Sequence, residues 1–277
     1  MPGFPTYHSW KFYMSRTSSP LKSKLVATVW FAVRTALRVL LGAKRADLLT
    51  RGLSLWKLES RVDSLRFRNT VEELANIWEI FSGEAVRDVS FSGKGRTKRP
   101  IILDIGAHIG LYSLKVASEF PNAIIFAFEP SGVNYYALEE NISISRKTNI
   151  FPVKMAVSDR NGSVTLFNDP RGSGTNTIVN RISNNTEKVL AVTVDAFVRK
   201  RRLRSVDFMK IDVEGAEEAV LRGAESTIKR FRPALSVELH PFNSKGVELR
   251  VPRVLKKLGY TQLESPENEP NLVIARR

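Results

Sequence analysis

The chain has 277 residues, enough for one large domain with an appendage, and its 43% hydrophobic content is that of an ordinary folded protein. It contains no cysteine, which excludes disulfide bonds, a thiolate nucleophile and cysteine-ligated zinc, and three histidines are too few for a histidine-rich metal site. The formal net charge of +15 lies mostly in the first hundred residues, where it would attract nucleic acid, anionic lipid or an acidic partner.

Residues 1–45 are expected to form a basic tail and an amphipathic helix. Apolar residues recur at helical spacing from Leu25 to Leu41, and Arg34 and Arg38 fall in a polar stripe. Two arginines near its middle disfavour a membrane-spanning helix. We expect residues 24–45 either to contact a membrane peripherally or to cover apolar surface of the protein itself. The expected location is cytoplasmic, with membrane association as an alternative.

Residues 46–98 are expected to form a helical N-terminal extension and a linker. The segment Val71 to Phe81 has helical periodicity, Asn69 or Thr70 can cap its start, and Gly83 follows its end. A stretch rich in Gly, Lys and Arg, from Ser92 to Pro100, then connects to a region with a different pattern.

From residue 99 to residue 277, short apolar strands alternate with helical patterns. Such continuous apolar runs are typical of parallel strands buried on both faces. We therefore expect a Rossmann-like α/β fold, with a doubly wound, mostly parallel sheet and a closing C-terminal β-hairpin at Tyr260–Leu263 and Leu272–Ala275. The other predicted strands are Ile101–Leu103, Ile124–Phe128, Ile150–Ala156, Ser163–Phe167, Phe208–Ile211 and Leu235–Leu239.

The first of these strands runs into a glycine-containing turn, DIGAHIG, which is followed by a helical pattern. Gly106 permits a sharp turn and Gly110 allows the helix to approach the sheet. A dinucleotide-binding turn would also have glycine at positions 108 and 111, where this chain has His108 and Leu111. A nucleotide cofactor without phosphates, such as S-adenosylmethionine, avoids that conflict.

Polar residues also end the second and third predicted strands. Glu129 is placed to accept hydrogen bonds from ribose hydroxyls, although a solvated carboxylate is the simpler reading of this residue alone. Ser158 or Asp159 could bond the adenine amino group, while Asp159 could equally cap the following turn.

The predicted strands Phe208–Ile211 and Leu235–Leu239 end in the motifs KIDVEGAE and VELHP. Asp212 and His240 are the preferred pair to accept or relay a hydroxyl proton, with Glu214 orienting the substrate. We expect no metal site; a divalent cation held by Asp212, Glu214 and Glu238 is the alternative.

The motifs DIGAHIG, FEP, AVSD, KIDVEGAE and VELHP occur in this order between about Arg99 and Pro241, and this segment resembles the FkbM family of methyltransferases. The resemblance implies a class I methyltransferase domain and O-methylation of a sugar, glycolipid or other small metabolite. It also implies S-adenosylmethionine at Glu129 and at the glycine turn, whose residues include Asp104, Gly106, Ala107, His108 and Gly110. The family often has Asn where this chain has His108.

Two other functions remain open from the sequence. An RNA methyltransferase or nucleic-acid-binding protein would suit the net charge, but the charge lies mainly outside the motif-bearing segment. An NAD(P)-dependent oxidoreductase would suit the fold but not the glycine pattern.

Overall fold

In the computed structural model of the chain, the described residues are 10–11, 14–15, 19–41, 57–62, 65–70, 77, 80–81, 99–169, 173–180, 183–266 and 270–276. The basic tail, the linker and most of the helix predicted at Val71–Phe81 lie outside these residues.

The N-terminal part contains one long helix, α1 (Leu21–Leu41), and two short strands, β1 (Lys57–Val62) and β2 (Leu65–Thr70), which pair antiparallel. The helix begins four residues before the apolar pattern, after Pro20. Describing residues 46–98 as helical was therefore wrong for the part that forms this hairpin. The hairpin was missed because the polar residues Ser60 and Asn69 interrupt the apolar alternate positions in the sequences KLESRV and LRFRNT.

The larger part is built on a seven-stranded mixed sheet, and this confirms the predicted fold class. Its strands are β3 (Ile101–Ile105), β4 (Ile124–Phe128), β5 (Ile150–Val153), β9 (Phe208–Ile211), β10 (Ala234–Glu238), β11 (Gln262–Glu264) and β12 (Leu272–Arg276). They follow the spatial order β11-β12-β10-β9-β3-β4-β5. Five neighbouring strands, β5, β4, β3, β9 and β10, are parallel, and the closing hairpin joins through β12, which is antiparallel to β10.

Helices cover both faces of this sheet, as the buried strand sequences required. One face packs on α2 (Leu111–Glu119) and α3 (Gly132–Ile144), together with Ala27 and Trp30 of α1. The other face is covered by four helices: α4 (Val194–Arg201), α5 (Glu217–Gly223), α6 (Glu225–Phe231) and α7 (Val247–Lys257). Alternate side chains of β3 enter opposite layers, with Ile102 in the first and Leu103 in the second.

A second, three-stranded sheet stands beside the carboxyl edge of the first. It consists of β6 (Ala156–Val157), β7 (Gly162–Phe167) and β8 (Thr186–Val192), in the order β6-β8-β7. Strand β7 was predicted, but β8 was not, because TEKVLAV places exposed charged residues ahead of its apolar end. Between β7 and β8, a short 3-10 turn at Ser173–Thr175 brings the chain back over the main sheet.

Candidate active site at the carboxyl edge of the sheet

The glycine turn after β3 is fixed by a close backbone approach at Gly106. Its φ of 90° lies in the left-handed region, and a Cβ there would be 1.7 Å from the carbonyl oxygen of Asp212, which follows β9. Any larger residue would push apart the ends of two neighbouring strands. The absence of a side chain at Gly106 therefore allows the ends of β3 and β9 to lie in contact. This is a stronger requirement for glycine than the sharp turn expected from the sequence.

Backbone groups of the same turn tie it to the next strand. The N–H groups of Gly106 and Ala107 donate to the carbonyl oxygen of Phe128 at 3.0 and 2.8 Å. His108 has a φ of 52°, a region in which Asn and His are enriched among non-glycine residues. The change from Asn to His at this position is thus compatible with the same backbone conformation.

Glu129, at the end of β4, is buried and its carboxylate is held by two backbone N–H groups. The N–H of His108 donates to Oε2 and the N–H of Ser131 donates to Oε1, both at 2.9 Å. Burial raises the pKa of Glu129 above its usual value, partly offset by His108 and by these hydrogen bonds. The Asn134 side chain donates a third hydrogen bond. A carboxylate has about four acceptor sites, so the oriented group can still accept a hydroxyl of a ligand.

Asp104 is also buried, inside β3. The Ser113 hydroxyl donates to its Oδ2 at 2.6 Å, whereas Oδ1 has no hydrogen-bond partner among the described residues. Burial raises the pKa of Asp104, against the opposing charge of Lys210. A buried carboxylate oxygen without a partner is costly unless water or a ligand satisfies it. It is therefore a point at which the protein can hold a polar group.

Ser158 and Asp159 do not line the cavity beside Glu129. The Asp159 carboxylate lies 3.5 Å from the Arg222 guanidinium, and the Ser158 hydroxyl donates to Asp159 at 3.3 Å. The wall at this place is formed by Met155 and Val157 instead. The suggestion that Ser158 or Asp159 holds an adenine amino group gains no support from this arrangement.

His240, which follows β10, is surrounded by carboxylates. Its Nδ1 lies 2.7 Å from Glu217 Oε1, and its Nε2 lies 3.4 Å from Glu214 and 3.6 Å from Asp212. Although burial alone would lower the pKa of His240, the bond to Glu217 and the neighbouring carboxylates raise it to about 10. The imidazole is therefore protonated at neutral pH, which conflicts with the expectation that it accepts a hydroxyl proton.

Glu214 occupies an unusual position between these groups. It has a φ of 50°, its carbonyl oxygen accepts a hydrogen bond from the Thr177 hydroxyl at 2.7 Å, and Asn243 Nδ2 donates to its Oε2 at 2.7 Å. A non-glycine residue in the left-handed region costs roughly 1–2 kcal/mol, and such strain concentrates at functional sites. Burial raises the pKa of Glu214 to about 7, against the opposing effect of His240.

Lys210 and Asp212, two residues apart at the end of β9, form a partly buried ion pair of 2.6 Å. Burial alone would lower the pKa of Lys210 and raise that of Asp212. The ion pair outweighs burial, so the pKa of Lys210 is raised and that of Asp212 is lowered. Asp212 therefore stays ionised but is a weak base. The Lys210 ammonium also lies 5.4 Å from the centre of the Tyr112 ring.

Among the described residues, Asp212, Glu238 and His240 each offer a ligand atom to one point, with all three atoms within 4.8 Å of one another. Glu214 is not part of this set. A protonated imidazole has no free lone pair, so a cation would first have to displace the His240 proton. The arrangement is satisfied as an ion-pair cluster without a metal.

Two cavities meet at these strand ends and share Gly106, Asp212 and Glu214. The first runs over Glu129 and has apolar walls. They include Phe128, Met155, Val157, Leu166 and Ile178. The second is more polar, and its lining includes His108, Tyr112, Lys210, Glu238 and, from the N-terminal part, Ile80.

Several of these residues were missed by sequence reasoning. Leu166, Asn176 and Ile178 come from β7 and the chain after it, and Asn243 comes from the turn after His240. None lies at the end of a predicted parallel strand, so the rule that identified Glu129 and Asp212 could not find them. The only available signal was the polar, glycine-containing run from Asp169 to Asn176, which suggests a loop near a site without placing its side chains.

The strand order, with the antiparallel strand β12 beside β10, is that of the class I methyltransferase fold. A family model described as the methyltransferase FkbM domain matches residues 104–261, and the chain belongs to this family. The oxidoreductase alternative is thereby excluded.

Three relatives are similar to this chain. Methyltransferase sdnD of Sordaria araneosa is 25% identical over 213 residues, covering 64% of this chain and 82% of that protein. The hexuronic acid methyltransferase AglP of Haloferax volcanii is 23% identical over 252 residues, covering 90% and 94%. The 2-O-methyltransferase NoeI of Sinorhizobium fredii is 29% identical over 150 residues, covering 48% and 60%.

The ion-pair cluster predicts a pH-dependent contribution of His240 to stability. Its pKa is raised from 6.5 to about 10, so its contribution is fully present below pH 6.5 and is lost as the pH rises towards 10. The free energy of unfolding of wild type relative to His240→Gln should therefore fall by roughly 5 kcal/mol over this range, measured by urea denaturation. A difference that stays constant with pH would contradict a protonated His240.

Proposed function

We propose that this protein transfers a methyl group from S-adenosylmethionine to a hydroxyl oxygen of a polyhydroxylated small molecule, in particular a sugar or glycolipid. The proposal depends above all on the two cavities that meet at Gly106, Asp212 and Glu214. One has the groups that suit a nucleoside, and the other has the groups that suit an acceptor rich in hydroxyls. Methyl transfer requires both ligands to touch at one point in a fixed orientation.

The first cavity fits S-adenosylmethionine in its donors, acceptors and walls. Glu129 offers an oriented carboxylate for ribose hydroxyls, and apolar walls that include Val157 and Leu166 suit a purine ring. Asp104 lines neither cavity, so its Oδ1, which has no hydrogen-bond partner among the described residues, could reach the amino group of the cofactor only through an intervening water. When bound, the cofactor supplies a methyl group activated by a positively charged sulfur.

Glu214 is the group best suited to take the hydroxyl proton. Its pKa of about 7 makes it a base matched to neutral pH, and it borders both cavities. Asn243 fixes one of its oxygens by donating a hydrogen bond at 2.7 Å. This reverses the roles expected from the sequence, in which Asp212 and His240 formed the base pair and Glu214 oriented the substrate.

The remaining charged groups position the acceptor and balance the charge. Asp212 and Glu238 line the acceptor cavity, where their carboxylates can accept hydrogen bonds from hydroxyl groups of the acceptor. Lys210 can donate a hydrogen bond to such a hydroxyl group. His240 stays protonated between the carboxylates and keeps them from repelling one another. Removing it would alter the pKa of Glu214 as well as the local geometry.

A sugar acceptor is supported by the chemistry of this cavity and by the relatives. Carboxylates pair well with vicinal hydroxyl groups, and the names of AglP and NoeI refer to a hexuronic acid and to 2-O-methylation. An RNA acceptor has less support, because three carboxylates at the cavity would repel a phosphate backbone.

The test is methyl transfer from radiolabelled S-adenosylmethionine to fractionated cell material. Label is expected in a glycan or glycolipid fraction. The amount of label should be the same with and without a chelator. Label confined to RNA or protein would contradict the acceptor class, and loss of activity with chelator, restored by a divalent cation, would contradict the metal-free site.

Binding of the cofactor should depend on Glu129. Calorimetry with S-adenosylmethionine is expected to give a Kd about a hundredfold weaker for Glu129→Ala, because ribose hydroxyls lose an oriented, charged acceptor. Glu187→Ala is a suitable control: its carboxylate accepts from the Gly132 N–H at 3.2 Å, close to the same helix start, but it does not line the cavity. Equal affinity of Glu129→Ala and wild type would contradict the placement of the ribose.

A further inference from the structure

The outward side of α1 is a continuous apolar surface. Two of its residues, Leu21 and Val39, are 83% and 82% exposed. Spaced along all six turns of the helix, these side chains share one face. The residues of this outward apolar face are Leu21, Leu25, Val29, Ala32, Val33, Ala36, Val39 and Leu40.

The opposite side of the same helix is packed on the protein, and it is the less apolar of the two. Ser23, Ala27, Trp30 and Arg34 are buried, with the Arg34 guanidinium 5.3 Å from the centre of the Trp30 ring. Ala27 and Trp30 join the apolar layer that contains Phe67 of β2. Because this side is fixed by packing, the outward apolar face cannot turn inward.

The charged residues of α1 are all basic. Lys22 lies on the same side as the outward apolar face, at its N-terminal end, and Arg38 lies on the other side near the C-terminal end; both are exposed. Lys44 and Arg45 follow in the sequence, and the chain carries a net charge of +15. Such a helix is complementary to the surface of a bilayer, where negatively charged headgroups lie over the apolar lipid chains.

The composition of the face argues for lipid rather than protein. All eight of its residues are Leu, Val or Ala, whereas protein interfaces are enriched in aromatic residues, Met and Arg. No helix among the described residues is long and apolar enough to cross a bilayer.

We propose that α1 is a peripheral membrane anchor whose outward apolar face inserts into the interface of a bilayer containing anionic lipid. Ile80, which lines the acceptor cavity, packs against the same apolar layer as Trp30. The anchor and the acceptor cavity are thus parts of one packed unit, and docking would hold the cavity at the membrane surface.

The test is flotation of the full chain with vesicles of phosphatidylcholine, with and without phosphatidylglycerol. Wild type should float with the anionic vesicles at low salt, bind neutral vesicles far less and be released by high salt. The double variant Leu21→Gln/Leu25→Gln should bind at least tenfold less. Leu190→Gln/Leu249→Gln is the matched control, since both leucines are 60% exposed but lie on β8 and α7, and it should float like wild type.

Three outcomes would overturn the proposal. Wild type could fail to float with anionic vesicles, or both double variants could lose binding equally. Sedimentation without vesicles could instead show a dimer that Leu21→Gln/Leu25→Gln dissociates, which would assign the face to a second copy of the chain. Circular dichroism of each variant, with cofactor binding measured by calorimetry, separates loss of docking from loss of fold.

Discussion

Glu214→Gln should lower kcat by about a thousandfold and leave the Kd for S-adenosylmethionine within a few-fold of wild type. The amide keeps the size of the side chain and can still bond to Asn243, but it cannot accept a proton. The measurement is initial-rate kinetics on the labelled acceptor, with calorimetry for the cofactor. Glu218→Gln is the matched control, because this carboxylate pairs with Arg222 and Arg250 away from both cavities, and its kcat should stay near that of wild type.

The pH dependence gives a second readout for the same residue. Glu214 must be ionised to act, so wild-type kcat/KM should rise with pH through about 7 and then level off. In Glu214→Gln this rising limb should disappear. Asp212→Asn should lower turnover about a hundredfold but retain a rising limb. If kcat/KM still rose with pH in Glu214→Gln but not in Asp212→Asn, the general base would be Asp212 and not Glu214.

Gly106→Ala should destabilise the fold by about 4 kcal/mol or more, or prevent folding altogether. A methyl group at this position would overlap the Asp212 carbonyl at 1.7 Å, so β3 and β9 would have to separate at the catalytic edge. The measurement is the free energy of unfolding in urea, with soluble yield recorded as well.

Gly162→Ala is the control that separates crowding from backbone strain. Gly162 also has a positive φ, of 129°, but a Cβ there would meet nothing within 4 Å. Gly162→Ala should therefore lose only roughly 1–3 kcal/mol, the cost of a sparsely populated backbone conformation. Equal losses in the two variants would show that the close approach at Gly106 is not what the fold requires.

The sequence was sufficient to predict the catalytic fold because its central strands carry an unambiguous signal. Ile124–Phe128 and Phe208–Ile211 have the bounds that were predicted, since buried parallel strands are short, apolar and followed by polar residues. The β1–β2 hairpin and β8 were missed because half-exposed strands depend on pairing partners that periodicity does not reveal.

The site was predicted in part for a similar reason. The strand-end rule identified Asp104, Gly106, Glu129, Asp212, Glu214 and His240, all of which the structure brings to one edge. Their protonation could not be predicted, since the raised pKa of His240 results from Glu217, Asp212 and Glu214 converging in space. The apolar walls contributed by Leu166 and Ile178 depend on how β7 pairs within the second sheet. The sequence predicted β7 but not its partner β8.

Ile80 belongs to the wall of the acceptor cavity although it precedes the first strand of the catalytic sheet and the residues matched by the family model. In the proposed function, the acceptor therefore contacts both the catalytic domain and a leading segment outside it. Ile80 packs in the same apolar layer as Leu111 and Leu114, so this segment is a fixed part of the cavity wall. An exchange of the first hundred residues between family members would therefore have to preserve this packing before a changed wall could select a different hydroxyl compound.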